Sequence, residues 1–134
     1  MSDGDYTTMG YEESKDVKVV VQHLKTAWKI DDIGIWGRSM GSVAAILYAF
    51  TDPSIIFIVL DSPFSNLKKL ALEIAQDKTN IPSIFIKGLF FFVSSKVKTQ
   101  TNFNIDDMDL QKYISKIFMP AFFITSKQDH VVKC

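Results

Sequence analysis

Three consecutive stretches constrain this chain more than anything else in it: "IGIWG" (33–37), "SVAAILYAF" (42–50) and "IIFIVLDSP" (55–63). The outer two are short apolar runs, one ending in glycine and the other, rich in β-branched residues, closed by Asp-Ser-Pro, as buried strands are. The middle one has the alanine-rich, unbroken apolarity of a buried helix, and "TDPS" ends it. A strand, a buried helix and a second buried strand in such close succession describe a parallel pair joined by a crossover helix.

The rest of the chain continues the alternation. Residues 2–11, with Gly4 and Gly10 among small polar side chains, read as a loop. "EESKDVKVVVQHLKTAWKI" places Val17, Val20, Val21, Leu24 and Trp28 at helical spacings, an amphipathic helix packed on one side. "SNLKKLALEIAQ" (65–76) is a helix with Ser65 or Asn66 as N-cap. Pro82 suits the first turn of a further helix running to about residue 98. "TNFNIDDMD" is a loop and "LQKYISKI" a short helix, after which Pro120 introduces "AFFITS", a third strand leading into "KQDHVVKC". The expected fold class is α/β, a parallel sheet with flanking helices.

At 134 residues there is room for one domain with a modest core, and 47% apolar residues with a mean hydropathy of +0.11 describe a globular chain. Fifteen basic residues balance fifteen acidic ones, so no net field favours nucleic acid. The one cysteine, Cys134, can form no internal disulfide, which fits a reducing compartment. "MSDGDYTTMGYEE" is polar and acidic, unlike a secretory signal, and the greasiest segment, "IPSIFIKGLFFFVSS", is interrupted by Lys87 and Gly88 and too short for an ordinary transmembrane helix. A cytoplasmic protein is the expectation.

Gly37-Arg38-Ser39-Met40-Gly41 lies where the first strand gives way to the helix. In a G-x-S-x-G elbow the serine occupies a strained turn, and small residues two before and two after it let neighbouring backbone pass closely. The turn projects Oγ off the sheet and aims the helix N-terminus at it, so the Met40 amide could donate to a developing oxyanion. Two aspartates end strands on the same edge, Asp61 and Asp129. Asp129 follows its apolar run by a short polar loop, which suits a carboxylate that orients an imidazole. Asp61, followed by Ser-Pro, suits a turn cap. Neither histidine suits the role of base. His23 lies on the polar side of the first helix, and His130 adjoins Asp129, too close in the chain to bridge it to Ser39. The glycine spacing also differs from a dinucleotide G-x-G-x-x-G or a phosphate loop with its lysine, so nucleotide binding is disfavoured.

Four segments together resemble the α/β-hydrolase superfamily, especially its serine-aminopeptidase-like members in protists and plants. They are "SDGDYTTMGYEESKDVKVVVQHL", "IGIWGRSMGSVAAILYA", "DPSIIFIVLDSPFSNL" and "KYISKIFMPAFFITSKQDHVV", in the family's order and spacing. The resemblance implies a nucleophile at Ser39, an oxyanion amide at Met40, elbow glycines at Gly37 and Gly41, and an acid at Asp129. It implies no metal and no organic cofactor. Ser126 stands where relatives carry glycine before the acid loop. The family's fifth to seventh strands are matched, so residues 1–134 are expected to form one partial domain, with residues 65–107 in the place of its helical cap. The early strands, the loop giving a second oxyanion amide, and the last strand with its histidine are not matched.

The resemblance implies a serine hydrolase of esters, thioesters or amides acting on a small-molecule or acyl substrate. The competing expectation is an inactive segment that works by association, through an open sheet edge. Phe85, Phe90, Phe91 and Phe92 could line an acyl pocket or touch lipid peripherally, flanked by Lys87, Lys96 and Lys98, although ordinary core packing is the favoured explanation of such a face.

Overall fold

A computed structural model of the chain describes residues 7–78 and 108–129, together with residues 86, 88, 94, 95 and 98. It divides into two compact units, one formed by Met1–Phe64 with Leu110–Cys134 and the other by Ser65–Asp109. In the first unit, α1 (Glu13–Ala27), β1 (Ile33–Arg38), α2 (Met40–Thr51) and β2 (Ile55–Asp61) follow in order. A short α4 (Gln111–Ile114) and β3 (Ala121–Ile124) complete it, and α3 (Leu67–Lys78) belongs to the second unit.

The three strands form one parallel sheet in the order β1-β2-β3, as the alternation of elements implied. The register pairs Trp36 with Val59 and Val59 with Phe122 on one face, and Gly37 with Leu60 and Leu60 with Phe123 on the other. Because side chains alternate along a strand, Ile58 and Leu60 fall on one face, and both are fully buried. Helix α2 packs on β1 and β2 and supplies most of the core: Val43, Ala44, Ala45, Ile46, Leu47, Tyr48 and Ala49 are all buried. This continuous burial explains why α2 reads as apolar all round rather than amphipathic.

Within the first unit, no described element packs on the opposite face of the sheet. Trp36 is 72% exposed and Phe122 65%, with Phe57 also exposed. Gly34 lies against the Phe57 ring, whose nearest atom would be 2.3 Å from any Cβ there.

Helix α1 packs on α2, but it buries only Val21 fully. Val20 and Trp28, expected on a covered face, are exposed. The periodicity identified the helix correctly and overstated how much of its apolar stripe is covered. Its start is fixed by Glu13, whose carboxylate accepts hydrogen bonds from Thr8 N (3.0 Å), Thr8 Oγ1 (2.7 Å) and Gly10 N (2.9 Å). Gly10, at φ +110°, lies so close to α2 that a Cβ there would be 2.6 Å from Val43 Cγ1.

In the second unit Asn66 is the N-cap, its Oδ1 accepting from Lys69 N at 3.0 Å. The ends of this unit lie side by side. Asn66 bridges Asp109 in antiparallel fashion, and Leu67 N donates to Met108 O at 3.3 Å. Of the helix expected from Pro82 to about residue 98, residues 86, 88, 94, 95 and 98 are helical and the others lie outside the described residues. So do Phe85, Phe90, Phe91, Phe92, Lys87 and Lys96, together with His130 and Cys134. Among the described residues no helix is long and apolar enough to cross a membrane.

Candidate active site

The turn between β1 and α2 is built from one strained residue and one tight crossing. Ser39 has φ +51° and ψ −116°, a region L-residues occupy only when their surroundings force it, at a cost of ~1–3 kcal/mol. The forcing groups can be named. Ser39 N donates to Asp61 O at 2.8 Å, which ties the turn to the end of β2, and Ser39 O accepts from Ser42 N (3.0 Å) and Val43 N (3.3 Å) as α2 begins. Gly37 is buried where α2 folds back over β1. A Cβ on it would be 2.2 Å from Gly41 O and 2.5 Å from Ser42 N, both backbone atoms.

The two glycines of the elbow are not equivalent. A Cβ on Gly41 would meet nothing within 4 Å, so only Gly37 is required by close backbone approach. The expectation that both flanking positions must be small for that reason holds for Gly37 and is corrected for Gly41. The crowding is one-sided because the backbone of Gly41 and Ser42 is itself what presses on Gly37.

Ser42 is the residue that sequence reasoning missed. It is fully buried at the start of α2, and its hydroxyl donates to Gly37 O at 2.6 Å and to Asp61 O at 3.0 Å. It therefore clamps both strand ends to the helix. The available signal was a lone hydroxyl in an otherwise apolar helical run, because a buried hydroxyl needs a partner.

Ser39 itself is exposed at the C-terminal edge of the sheet. Met40 is the first residue of α2, so its N–H has no carbonyl one turn back to donate to, and the helix dipole places partial positive charge there. Arg38, largely exposed, holds its Nε 3.6 Å from Asp61 Oδ2, and Ser62 Oγ donates to Asp61 Oδ1 at 3.1 Å. The turn-capping role expected for the Asp61 side chain is thus not what forms: the carboxylate faces Arg38 and Ser62, while its backbone carbonyl holds the elbow. Ser62 also takes a positive φ of 51°, and its N–H donates to Ile124 O at 2.8 Å. Two adjacent strands therefore end in a serine in a strained conformation.

Asp129 lies past the end of β3, in a turn where its N–H donates to Ser126 O (3.1 Å) and Gln128 N donates to Ser126 Oγ (3.2 Å). The parallel order places Ser39, Asp61 and Asp129 at or beyond the C-terminal ends of three neighbouring strands, the edge where open α/β sheets gather ligands. His23 is not brought near. It stands half a turn before Lys25, which pairs with Asp52 at the far end of α2 (3.3 Å), while Ser39 is at its beginning. Twelve helical residues, about 18 Å, separate those two ends. Its ring packs edge-on to Trp28, 6.2 Å between centroids. Among the described residues no cluster of His, Cys, Asp and Glu could hold a metal ion.

No protein-family model matches the chain. It is 30% identical to the uncharacterized protein YqkD of Bacillus subtilis (strain 168), over 98% of this chain and 43% of that protein. Its structure is similar to that of the Pyrococcus furiosus esterase Pf2001 in two crystal forms, with a TM-score of 0.68 and 30% identity over 97% of this chain and 46% of the esterase. A third form gives 0.62 and 28% over 92% and 44%. The chain thus spans less than half the length of the proteins it matches, and over nearly all of its own length it follows the fold of that part of the esterase.

Proposed function

We propose that this chain carries the nucleophile and acid of a serine hydrolase of the α/β-hydrolase type, acting on ester, thioester or amide bonds. The observation that carries the reading is Ser39, held exposed in a strained strand-to-helix turn with the amide of Met40 free of helical pairing beside it. The likeness to an esterase over nearly the whole chain supports it at the level of hydrolysis. In this reading the three strands correspond to the fifth to seventh of the family's sheet, and the unit Ser65–Asp109 to its cap.

The chemistry follows from the parts. Ser39 Oγ attacks the carbonyl carbon while an imidazole takes its proton, and the oxyanion that forms accepts from Met40 N–H. The imidazole then protonates the leaving group, and water releases the acyl group by the same route. Asp129 holds the imidazole in its tautomer. Neither histidine of the sequence suits that role: His23, on α1, lies toward the end of α2 far from Ser39, and His130 directly follows Asp129.

A second reading, an inactive segment that works by association, is favoured by the uncovered apolar sheet face of Trp36, Phe57 and Phe122. A fluorophosphonate probe separates the two. The first reading predicts an adduct whose rate of formation rises as imidazole is added, and which is lost in Ser39→Ala. Folded protein that gains no Ser39-dependent adduct at any imidazole concentration contradicts it and leaves the associative reading.

A further inference from the structure

A second concave site lies on the helical side of the first unit, away from the serine turn. Its cavity, about 340 Å³, is bounded by Tyr11, Lys15 and Lys18 at and along the start of α1, by Leu47 and Phe50 in the second half of α2, and by Tyr113 of α4. That volume falls at the lower end of the range that takes small ligands. The residues from α1 recur at helical spacing, so they form one wall, and Tyr113 meets Phe50 edge-on at 5.3 Å between centroids and 83° between planes. The walls are largely aromatic and aliphatic, with polar groups contributed by Ser14, Lys15 and Lys18 of α1 and by Thr51 of α2.

The charged residues of the lining are both lysines. Lys15 is held by Glu12 (2.5 Å) and stands 5.7 Å above the Tyr11 ring. Lys116 Nζ stands 5.9 Å above the Phe50 ring. Neither Lys116 nor Lys18 has an ion-pair partner among the described residues. Asp52, the carboxylate beyond Tyr48, is engaged elsewhere: it accepts from Tyr48 OH (2.5 Å), from Ser54 and from Lys25. The site thus pairs a ring-lined cavity with one unpaired cation in its lining, Lys18, and a second, Lys116, over the Phe50 ring that bounds it.

We infer that this cavity binds a small anionic aromatic molecule, a carboxylate whose ring lies among Tyr11, Phe50 and Tyr113 while Lys18 and Lys116 meet the charge. Edge and face contacts between rings fix the plane of the ligand. Charge-assisted hydrogen bonds at the mouth select an anion over its neutral analogue. The site stands independently of Ser39, since α2 carries the serine turn at its start and the cavity residues Leu47 and Phe50 in its second half.

The probe is 2-naphthoate, titrated into the isotopically labelled full chain and followed by amide chemical shifts and calorimetry. The expected result is saturable shifts at Tyr11–Lys18, Leu47–Thr51 and Tyr113, weakened at least tenfold in the double variant Lys18→Gln, Lys116→Gln. Added salt weakens binding further. The neutral analogue 2-naphthamide decides the matter without any variant, and at least tenfold weaker binding is expected of it. Equal binding of amide and acid, shifts confined to the sheet face around Trp36 and Phe122, or no shifts at millimolar naphthoate each overturn the proposal.

Discussion

Ser39, Gly37 and Ser42 work as one device at the scale of single residues. Gly37 lets α2 fold back against β1, Ser42 ties both strand ends to the helix, and Ser39 absorbs the backbone strain that results. Gly37→Ala is expected to lower unfolding free energy by ~2–4 kcal/mol, because the added methyl meets backbone that cannot move aside. Gly41→Ala is expected to be neutral or to stabilise by ~0.5–1 kcal/mol, since its Cβ enters open space within a helix. Urea titration of the two variants side by side measures the contrast, and equal losses would contradict the asymmetry. Ser42→Ala takes the hydroxyl donor from Gly37 O, while Asp61 O keeps Ser39 N, and should cost ~1–3 kcal/mol by the same measurement. The serine turn itself was legible, because G-x-S-x-G between a strand run and a helix run is a local pattern. The asymmetry of its glycines was not, because steric room depends on which backbone folds back over which.

At the scale of elements, the ends of α1 and α2 are joined by charge. Burial pushes the Asp52 carboxyl up, but hydrogen bonds from Ser54, Tyr48 and Lys25 outweigh it and hold the group well below its ordinary value of 3.8. The same contact holds the Tyr48 phenol far above its usual range, with burial the larger cause. Since the folded state holds Asp52 ionised at acidities where the unfolded chain is protonated, its contribution is fully present above about pH 4. It drains as pH falls toward the lower folded-state value. Asp52→Asn should therefore flatten the acid limb of a stability-against-pH curve measured from neutral pH downward, and an unchanged limb would contradict the tether. Helix positions were legible from periodicity and caps, including Asn66. The cover over them was not: Val20 and Trp28 keep helical spacing yet lie exposed, because a period states which face is apolar and not what packs on it.

For the whole molecule, one layer of helices covers one face of a three-stranded parallel sheet, and Trp36, Phe57 and Phe122 stand on the other. Exposed apolar surface of this kind, beside strand edges that no described strand pairs, favours association. Sedimentation velocity on the chain should show concentration-dependent association, reduced by the pair Trp36→Lys and Phe122→Lys, and a monomer at every concentration would contradict this. The alternation of elements made the parallel sheet legible and the strand-end positions of Ser39, Asp61 and Asp129 with it. How the Asp61 side chain is used, facing Arg38 and Ser62, emerged only from the register. Ser39 is proposed as a nucleophile whose oxyanion is received by the start of α2. A crystal structure of the chain after phosphonylation tests it most directly. Phosphorus is expected on Ser39 Oγ, with a phosphoryl oxygen about 3 Å from Met40 N. An adduct on another residue, or a phosphoryl oxygen turned away from that amide, would contradict it.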